Sequence, residues 1–247
     1  LDDYASKYLS HICRDALTSP IPLPVEDILA EQGLTVIEVR LSRNLDIFGC
    51  CLLLDGDVQV YNPESDCMET KHYPAGTILI DPDFAAFYGE GAKRNTLMHE
   101  ALHWEKDKRY FEILQVKNKR ASETLYPIMC RASSSNYTPA EGSRTKASEV
   151  QWLEWQAHKL APRVLMPAGM FKKKALELID GYQNQYPNGG LSCDTLIEDL
   201  SNFFIVSRIS VKNRLIEVGL LGRISGFEDY DAVFADINHS KDLAVLT

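Results

Sequence analysis

The chain has 247 residues, of which 45% are hydrophobic and 25% charged, and its formal net charge is −9 at pH 7. These proportions are typical of a globular protein, and the acidic balance argues against direct binding of nucleic acid. No apolar run reaches the roughly 18 residues that a membrane-spanning helix needs, which argues against a membrane partner.

The N-terminal residues and the cysteines bear on the compartment. The first residues show neither the basic nor the apolar region of a secretory signal. The six cysteines are scattered without a regular framework, and a chain of this length does not need disulfide bonds to be stable. We therefore expect reduced thiols and a cytoplasmic location.

The N-terminal segment predicts two helices. Tyr4, Tyr8 and Ile12 recur at intervals of four residues, which is the spacing of one helical face. The three prolines within residues 19–24 end this helix. A second, short helix is predicted over 25–32, with Gly33 after its end.

A strand-rich region follows. Strands are predicted over residues 34–41, 48–54, 58–61 and 76–80. Asp55-Gly56 separates the second strand from the third and predicts a hairpin between them. We expect the sheet to have an exposed edge near residues 77–81, where an extended peptide substrate could pair with it.

The remainder of the chain predicts helices. One runs from Arg94 to about Asp107, and a second begins near Ser148 and ends between Pro162 and Pro167. The polar residues between these helices, at about 118–148, are long for a connection in a compact domain and predict a functional or mobile insertion. Further helices are predicted around 170–181, 194–204 and 208–218.

An H-E-x-x-H pattern predicts a metal site at His99, Glu100 and His103. Residues four apart lie one turn above each other on a helix, so the two imidazoles can bind one Zn²⁺. Glu100 lies about 100° further round, where it can act as general base on a water molecule activated by the metal. With 6 His in 247 residues, a chance match is expected only about 0.01 times.

A catalytic zinc needs a third protein ligand, and Glu154 on the second predicted helix is the best candidate. Ala157 and Ala161 follow it on the same face, where small side chains allow the two helices to approach closely. Glu149 on the same helix is a weaker alternative. His158, one turn after Glu154, is either a donor that orients a ligand or an alternative ligand itself.

These motifs resemble the ImmA/IrrE family of metallo-endopeptidases. The matching segments are RNTLMHEALH at 94–103, EWQA at 154–157, VLMP at 164–167 and VGLL at 218–221. The resemblance extends over roughly residues 75–222, and two separate elements match in order. It implies one Zn²⁺ per chain held by His99, His103 and Glu154, with Glu100 as the catalytic base. It further implies an intracellular bacterial or phage endopeptidase that cleaves a protein, in several members a transcriptional repressor.

The resemblance and the predicted elements together give an expected architecture. We predict an α+β fold with a zincin-like helical core, which carries the H-E-x-x-H helix, and a small, twisted, mostly antiparallel sheet. A single metallopeptidase domain is expected over residues 1–222, with the insertion at about 118–148. Residues 223–247 are expected to be a C-terminal tail that packs on this domain or is mobile.

The chain departs from the family pattern in three places. Leu102 replaces a usual glycine, His158 replaces a usual Asn or Asp, and the insertion lengthens the connection between the two motifs. Within the insertion, Cys130 could place a thiolate at the open zinc position and keep the enzyme latent. Tyr126, Tyr137 and His158 are candidate donors to the oxyanion of the reaction.

Alternative functions remain open at this point. A peptide deformylase has the same H-E-x-x-H pattern with an upstream cysteine ligand, and Cys50 and Cys51 stand upstream, although their surroundings read as a buried strand. A regulatory protein with a zinc site but little turnover is another alternative, binding either a repressor or DNA.

The DNA-binding alternative depends on residues 201–219, whose pattern is similar to that of a helix-turn-helix motif. Its candidate DNA contacts are Arg208, Lys212 and Arg214. Against it, four apolar residues of this segment are expected to need burial in a helical core: Ile205, Ile209, Leu215 and Val218.

Overall fold

The computed structural model describes residues 1–118, 128–131, 146–185 and 192–220. Over these ranges the chain is an α+β protein, in which helices pack against a small mixed sheet. No helix in the described ranges is both long and apolar enough to cross a bilayer.

Most of the predicted helices and strands are present, and the structure adds the short helix Phe84–Tyr88 and the strands Cys67–Tyr73 and Ile128–Arg131. A short 3-10 helix, Arg14–Leu17, follows the first helix. The helices are α1 Asp2–Ile12, α2 Val25–Glu31, α3 Phe84–Tyr88, α4 Glu90–Asn118, α5 Lys146–Leu165, α6 Ala168–Gln185, α7 Cys193–Phe204 and α8 Arg208–Glu217. The strands are β1 Thr35–Glu38, β2 Ile47–Cys51, β3 Gly56–Asn62, β4 Cys67–Tyr73, β5 Thr77–Ile80 and β6 Ile128–Arg131.

The main sheet has the strand order β1-β5-β2-β6. Strand β5 pairs in parallel with β1 and antiparallel with β2, and β2 pairs antiparallel with β6. The sheet is therefore mixed, with one parallel pairing among its described strands. The expected exposed edge at 77–81 is wrong, because β5 lies inside the sheet and its four residues are all buried. A continuous apolar run such as Thr-Ile-Leu-Ile is typical of a strand covered on both faces.

The hairpin expected at Asp55-Gly56 is also wrong. Strand β3 pairs with β4, not with β2, and these two strands form a separate two-stranded sheet. The turn of this hairpin lies between Asn62 and Cys67, and Asp55 instead accepts a hydrogen bond from the backbone N–H of Ala75. Asp55-Gly56 thus connects one sheet to the other.

The hairpin β3–β4 covers the outer face of the main sheet. Val58 and Val60 point inward from β3, and each is 1% exposed. They belong to a small apolar cluster with Leu41, Cys50, Leu52 and Leu79. The alternation of buried and exposed residues along β3 is the pattern of a strand with one buried face.

The main hydrophobic core lies on the other face of the sheet, around α4. Its buried residues extend from Ala5 in α1 to Leu220 after α8. Helix α4 continues eleven residues beyond the expected end, to Asn118, because Asp107 and Phe111 extend the buried face begun by His103. Helix α5, by contrast, ends at Leu165, before Pro167, as expected. Two apolar residues expected in the core, Ile205 and Ile209, are instead 38% and 47% exposed.

The insertion expected at about 118–148 is described only in part. Its residues 128–131 form β6 at the edge of the main sheet, and residues 146–148 belong to α5. The expectations for Tyr126 and Tyr137, for the side chain of Cys130 and for the tail at 223–247 lie outside the described residues.

Candidate metal centre

Helix α4 brings the first three candidate residues into the interior. His99 is 2% exposed, and Glu100 and His103 are completely buried. Their apolar neighbours on the same turns are also buried, so this stretch of helix is surrounded by protein on all sides. Polar side chains at such positions need partners, because an unpaired buried polar group costs free energy.

Helix α5 supplies the carboxylate. Glu154 is 9% exposed, and its Oε2 lies 3.1 Å from Nε2 of His99. Ala157 and Ala161 are completely buried where α5 packs on α4. A larger side chain at either alanine would push the helices apart, so the small residues permit the short distance between Glu154 and the histidines.

The three side chains form a group that can hold a metal ion. Nε2 of His103 lies 3.1 Å from Nε2 of His99 and 3.4 Å from Oε1 of Glu154. All the potential ligand atoms lie within 4.8 Å of one another, and this is the one such group found among the described residues. Ligands placed tetrahedrally at the usual zinc distances of about 2.1 Å are separated by about 3.4 Å. The observed separations are therefore close to those of a tetrahedral zinc site.

The ionisation of the ligands follows from their mutual contacts. Burial alone would raise the pKa of Glu154, but hydrogen bonding to His103 and His99 outweighs it and lowers the pKa to about 2. Burial alone would lower the pKa of His103, but Asp107 and Glu154 raise it to about 10. Burial lowers the pKa of His99. The ionised Glu154 therefore faces a protonated His103, whose proton a bound metal ion would displace.

Asp107 contacts the centre from its outer side, and the sequence analysis missed it. Its Oδ2 lies 2.7 Å from Nδ1 of His103, and its side chain is 4% exposed. It stands four residues after His103, so its place on the ligand face was readable from helical spacing. The predicted helix ended at about Asp107, within the charged run Lys106-Asp107-Lys108-Arg109.

Among the described residues, neither carboxylate oxygen of Glu100 has a partner in good hydrogen-bond geometry, although both oxygens are buried. Burial raises its pKa to about 8, and the nearby backbone N–H of Cys51 only partly offsets this effect. Strand β2 approaches it closely at Gly49, where an added Cβ would lie 2.8 Å from Cγ2 of Thr96 and 3.2 Å from Oε1 of Glu100. The absence of a side chain at residue 49 is what leaves room for the carboxylate.

Other sequence candidates lie outside the ligand group. His158 is half-buried one turn after Glu154, and burial together with nearby His99 lowers its pKa to about 4. Cys50 and Cys51 are completely buried in β2, as expected for a strand, and their thiols are not among the grouped ligand atoms. The side chain of Glu149 lies outside the described residues.

The proposed DNA contacts are engaged within the protein. Arg214 is 1% exposed, and its Nε donates to the carbonyl oxygen of Met166 at 2.9 Å. Arg208 forms ion pairs with Asp194 and Glu198 on α7. Arg214 therefore has no surface to offer to DNA.

Comparisons with known proteins do not assign this chain to a family. No family model matches it, and neither does any curated protein or solved structure. What the site can do must therefore be argued from its own residues.

Proposed function

We propose that this protein is a zinc-dependent endopeptidase. The observation that carries the proposal is the buried carboxylate of Glu100, which has no partner in good hydrogen-bond geometry among the described residues and lies beside a group of three metal-ligand side chains. A site that only stabilised the fold would not need an additional unpaired carboxylate there, since such a group is costly to bury. A general base needs this placement, because its proton-accepting oxygens must be free for the reactants.

Zinc is the metal that best fits the donor set. Two imidazole nitrogens and one carboxylate oxygen are the ligands of many catalytic zinc sites, which keep a fourth position open. Calcium and magnesium prefer sites built from oxygen ligands alone. Iron(II) also binds two histidines and one carboxylate in oxygenases, but that chemistry assigns no role to Glu100.

The chain's own residues would then act on water and on the peptide. A zinc ion bound at His99, His103 and Glu154 would polarise the peptide carbonyl and activate water for attack. Glu100 accepts a proton from the attacking water as the new C–O bond forms. It then delivers that proton to the amide nitrogen as the C–N bond breaks, leaving a carboxylic acid and an amine. A cation held beside Glu100 would favour the ionised form that a proton acceptor needs.

The substrate class and the compartment follow from the resemblance and from the thiols. Resemblance to the ImmA/IrrE family supports an intracellular protein substrate, a transcriptional repressor being the leading example. The five cysteines with described side chains are all free, which supports a reducing compartment such as the cytoplasm.

Metal content is the first test. We would measure zinc and iron per chain by elemental analysis in protein purified without chelator, for the wild type, Glu154→Ala and Gln156→Ala. The wild type and the Gln156→Ala control, which alters a half-buried residue of the same helix, should each carry about one zinc, and Glu154→Ala much less.

Each other outcome has a distinct meaning. Iron in place of zinc would contradict the peptidase, and no metal even after loading would leave the reaction without its Lewis acid. Full zinc occupancy in Glu154→Ala would transfer the role of third ligand to His158 or a cysteine.

A further inference from the structure

The two histidines of the centre differ in what holds their outer ring nitrogens. Nδ1 of His103 contacts the carboxylate of Asp107 at 2.7 Å, in the interior of the protein. Nδ1 of His99 is buried without a hydrogen-bond partner among the described residues. The inner nitrogens of both rings face each other and Glu154. Only one of the two imidazoles is therefore fixed from both sides.

The contact with Asp107 selects a tautomer. A carboxylate accepts hydrogen bonds but cannot donate them when ionised, so it requires a proton on Nδ1 of His103. With that proton in place, the lone pair of the neutral ring lies on Nε2, the atom that faces His99 and Glu154. An oriented ring with the correct tautomer binds a metal more tightly than one that must rearrange first.

Lys106 contacts the other carboxylate oxygen of Asp107. Its Nζ lies 3.1 Å from Oδ1 of Asp107, and its side chain is only 12% exposed. The two oxygens of Asp107 are thus divided between an ammonium group on the outer side and an imidazole on the inner side.

We propose that Asp107 is a positioning residue that orients His103 and fixes its Nδ1–H tautomer, making His103 the firmly held metal ligand and His99 the more labile one. The inference rests on the proposed function, because it requires a metal at the centre. Asp107 itself does not touch the metal or the substrate, and it acts through His103 alone.

The test compares Asp107→Ala, Asp107→Asn and a matched control, Glu105→Ala, which removes an exposed carboxylate two residues away. Zinc affinity is measured by competition with a chelator, and thermal stability is measured on the metal-free proteins. Asp107→Ala should bind zinc about 10–100-fold more weakly. Asp107→Asn should recover part of this loss, since its amide oxygen can still accept from Nδ1, and the control should match the wild type.

A purely structural role would give another result. Asp107→Ala would then lower the stability of the metal-free protein and leave its zinc affinity unchanged, which would overturn the inference. Absence of zinc binding in the wild type would instead defeat the proposed function, and the inference with it. Zinc binding by the wild type therefore tells the two failures apart: it is present when only the inference fails and absent when the proposed function fails.

A second measurement on the wild type does not depend on any variant folding. Nitrogen-15 spectra of the zinc-loaded protein report which ring nitrogen of each histidine carries the proton. We expect His103 to be protonated at Nδ1 and the nitrogen-15 chemical shift of its Nε2 to change when zinc binds. A proton on Nε2 of His103 would contradict the role of Asp107.

Discussion

Two buried charged clusters in this protein differ in how completely they are hydrogen-bonded. The metal centre consists of His99, Glu100, His103 and Glu154, and it contains buried polar atoms without partners on His99, Glu100 and Glu154. The other cluster surrounds Arg214, whose guanidinium contacts the carbonyl oxygen of Met166 and the carboxylates of Asp2 and Glu217. No nitrogen of Arg214 is among the unpartnered atoms of the described residues, and the one such atom beside it is Nε of Arg163, a residue that contacts the same two carboxylates.

The difference indicates which cluster serves the fold and which serves a ligand. The Arg214 cluster joins α1, α8 and the end of α5, three elements far apart in the sequence, and its bonds are made within the protein. The metal centre is held by packing of α4 on α5, yet its inner atoms are left for something else to bind. Buried polar groups are nearly always satisfied, and four of the seven unpartnered atoms among the described residues lie at the metal centre, which makes it the leading candidate for ligand binding.

The largest expected effect separates activity from stability at the metal centre. Replacing Glu100 by Gln keeps the shape of the side chain but removes the proton acceptor, so peptide hydrolysis should fall about 10²–10⁴-fold. Zinc content and folding should stay intact, because Glu100 is not one of the grouped ligands. The measurement is cleavage of a peptide library by wild type and variant at equal zinc content. Equal cleavage would remove Glu100 from the mechanism.

At the Arg214 cluster we expect a substitution to lower the stability of the protein without changing its affinity for zinc. Arg214→Met keeps much of the buried aliphatic volume but leaves the Met166 carbonyl without its side-chain donor. Among the described residues, Asp2 and Glu217 keep only their contacts with Arg163. We expect the free energy of unfolding to fall by about 3 kcal/mol, at the low end for a broken buried ion pair because Asp2 and Glu217 remain partly in contact with water. Denaturant unfolding measures the loss. Zinc affinity per folded molecule should not change, and a loss of zinc affinity would show that the two clusters are coupled.

The smallest effect concerns the pH dependence of the Arg214 cluster. Burial alone would raise the pKa of Asp2, but its hydrogen bond and ion pair with Arg214 outweigh burial and lower the pKa below its ordinary value. A carboxyl whose pKa is lowered by folding adds stability above its unfolded pKa, and this stability is lost as pH falls through the folded pKa. Asp2 is nearly half exposed, so the gain is screened by solvent and should stay below about 1 kcal/mol.

Asp2→Asn tests this dependence. Its melting temperature should approach that of the wild type as pH falls from about 5 toward 2, because the wild type alone loses the ionised carboxylate over that range. A constant difference between the two proteins over this range would mean that Asp2 contributes through packing alone.

Short-range features of the sequence predicted the half of the site that one helix carries. His99 and His103 are four residues apart, and helical geometry alone brings their rings to one face. Asp107 follows the same spacing and was missed, because burial of a charged residue depends on what packs over it. The strand segments were also recognised from local alternation and apolar runs, while β4, with its mostly exposed residues, was not.

Long-range features were decided only in the tertiary structure. Glu154 reaches the histidines because Ala157 and Ala161 let α5 approach α4, and the separation of its oxygens from their nitrogens has no local signature. The internal position of β5 and the burial of Arg214 likewise depend on partners distant in the sequence, on β1 and β2 for the strand and on Met166 and Asp2 for the arginine. Residue type and spacing determined which side chains helix α4 offers to a metal. Packing between distant segments determined which side chains complete the site, because burial and close approach are properties of the assembled core.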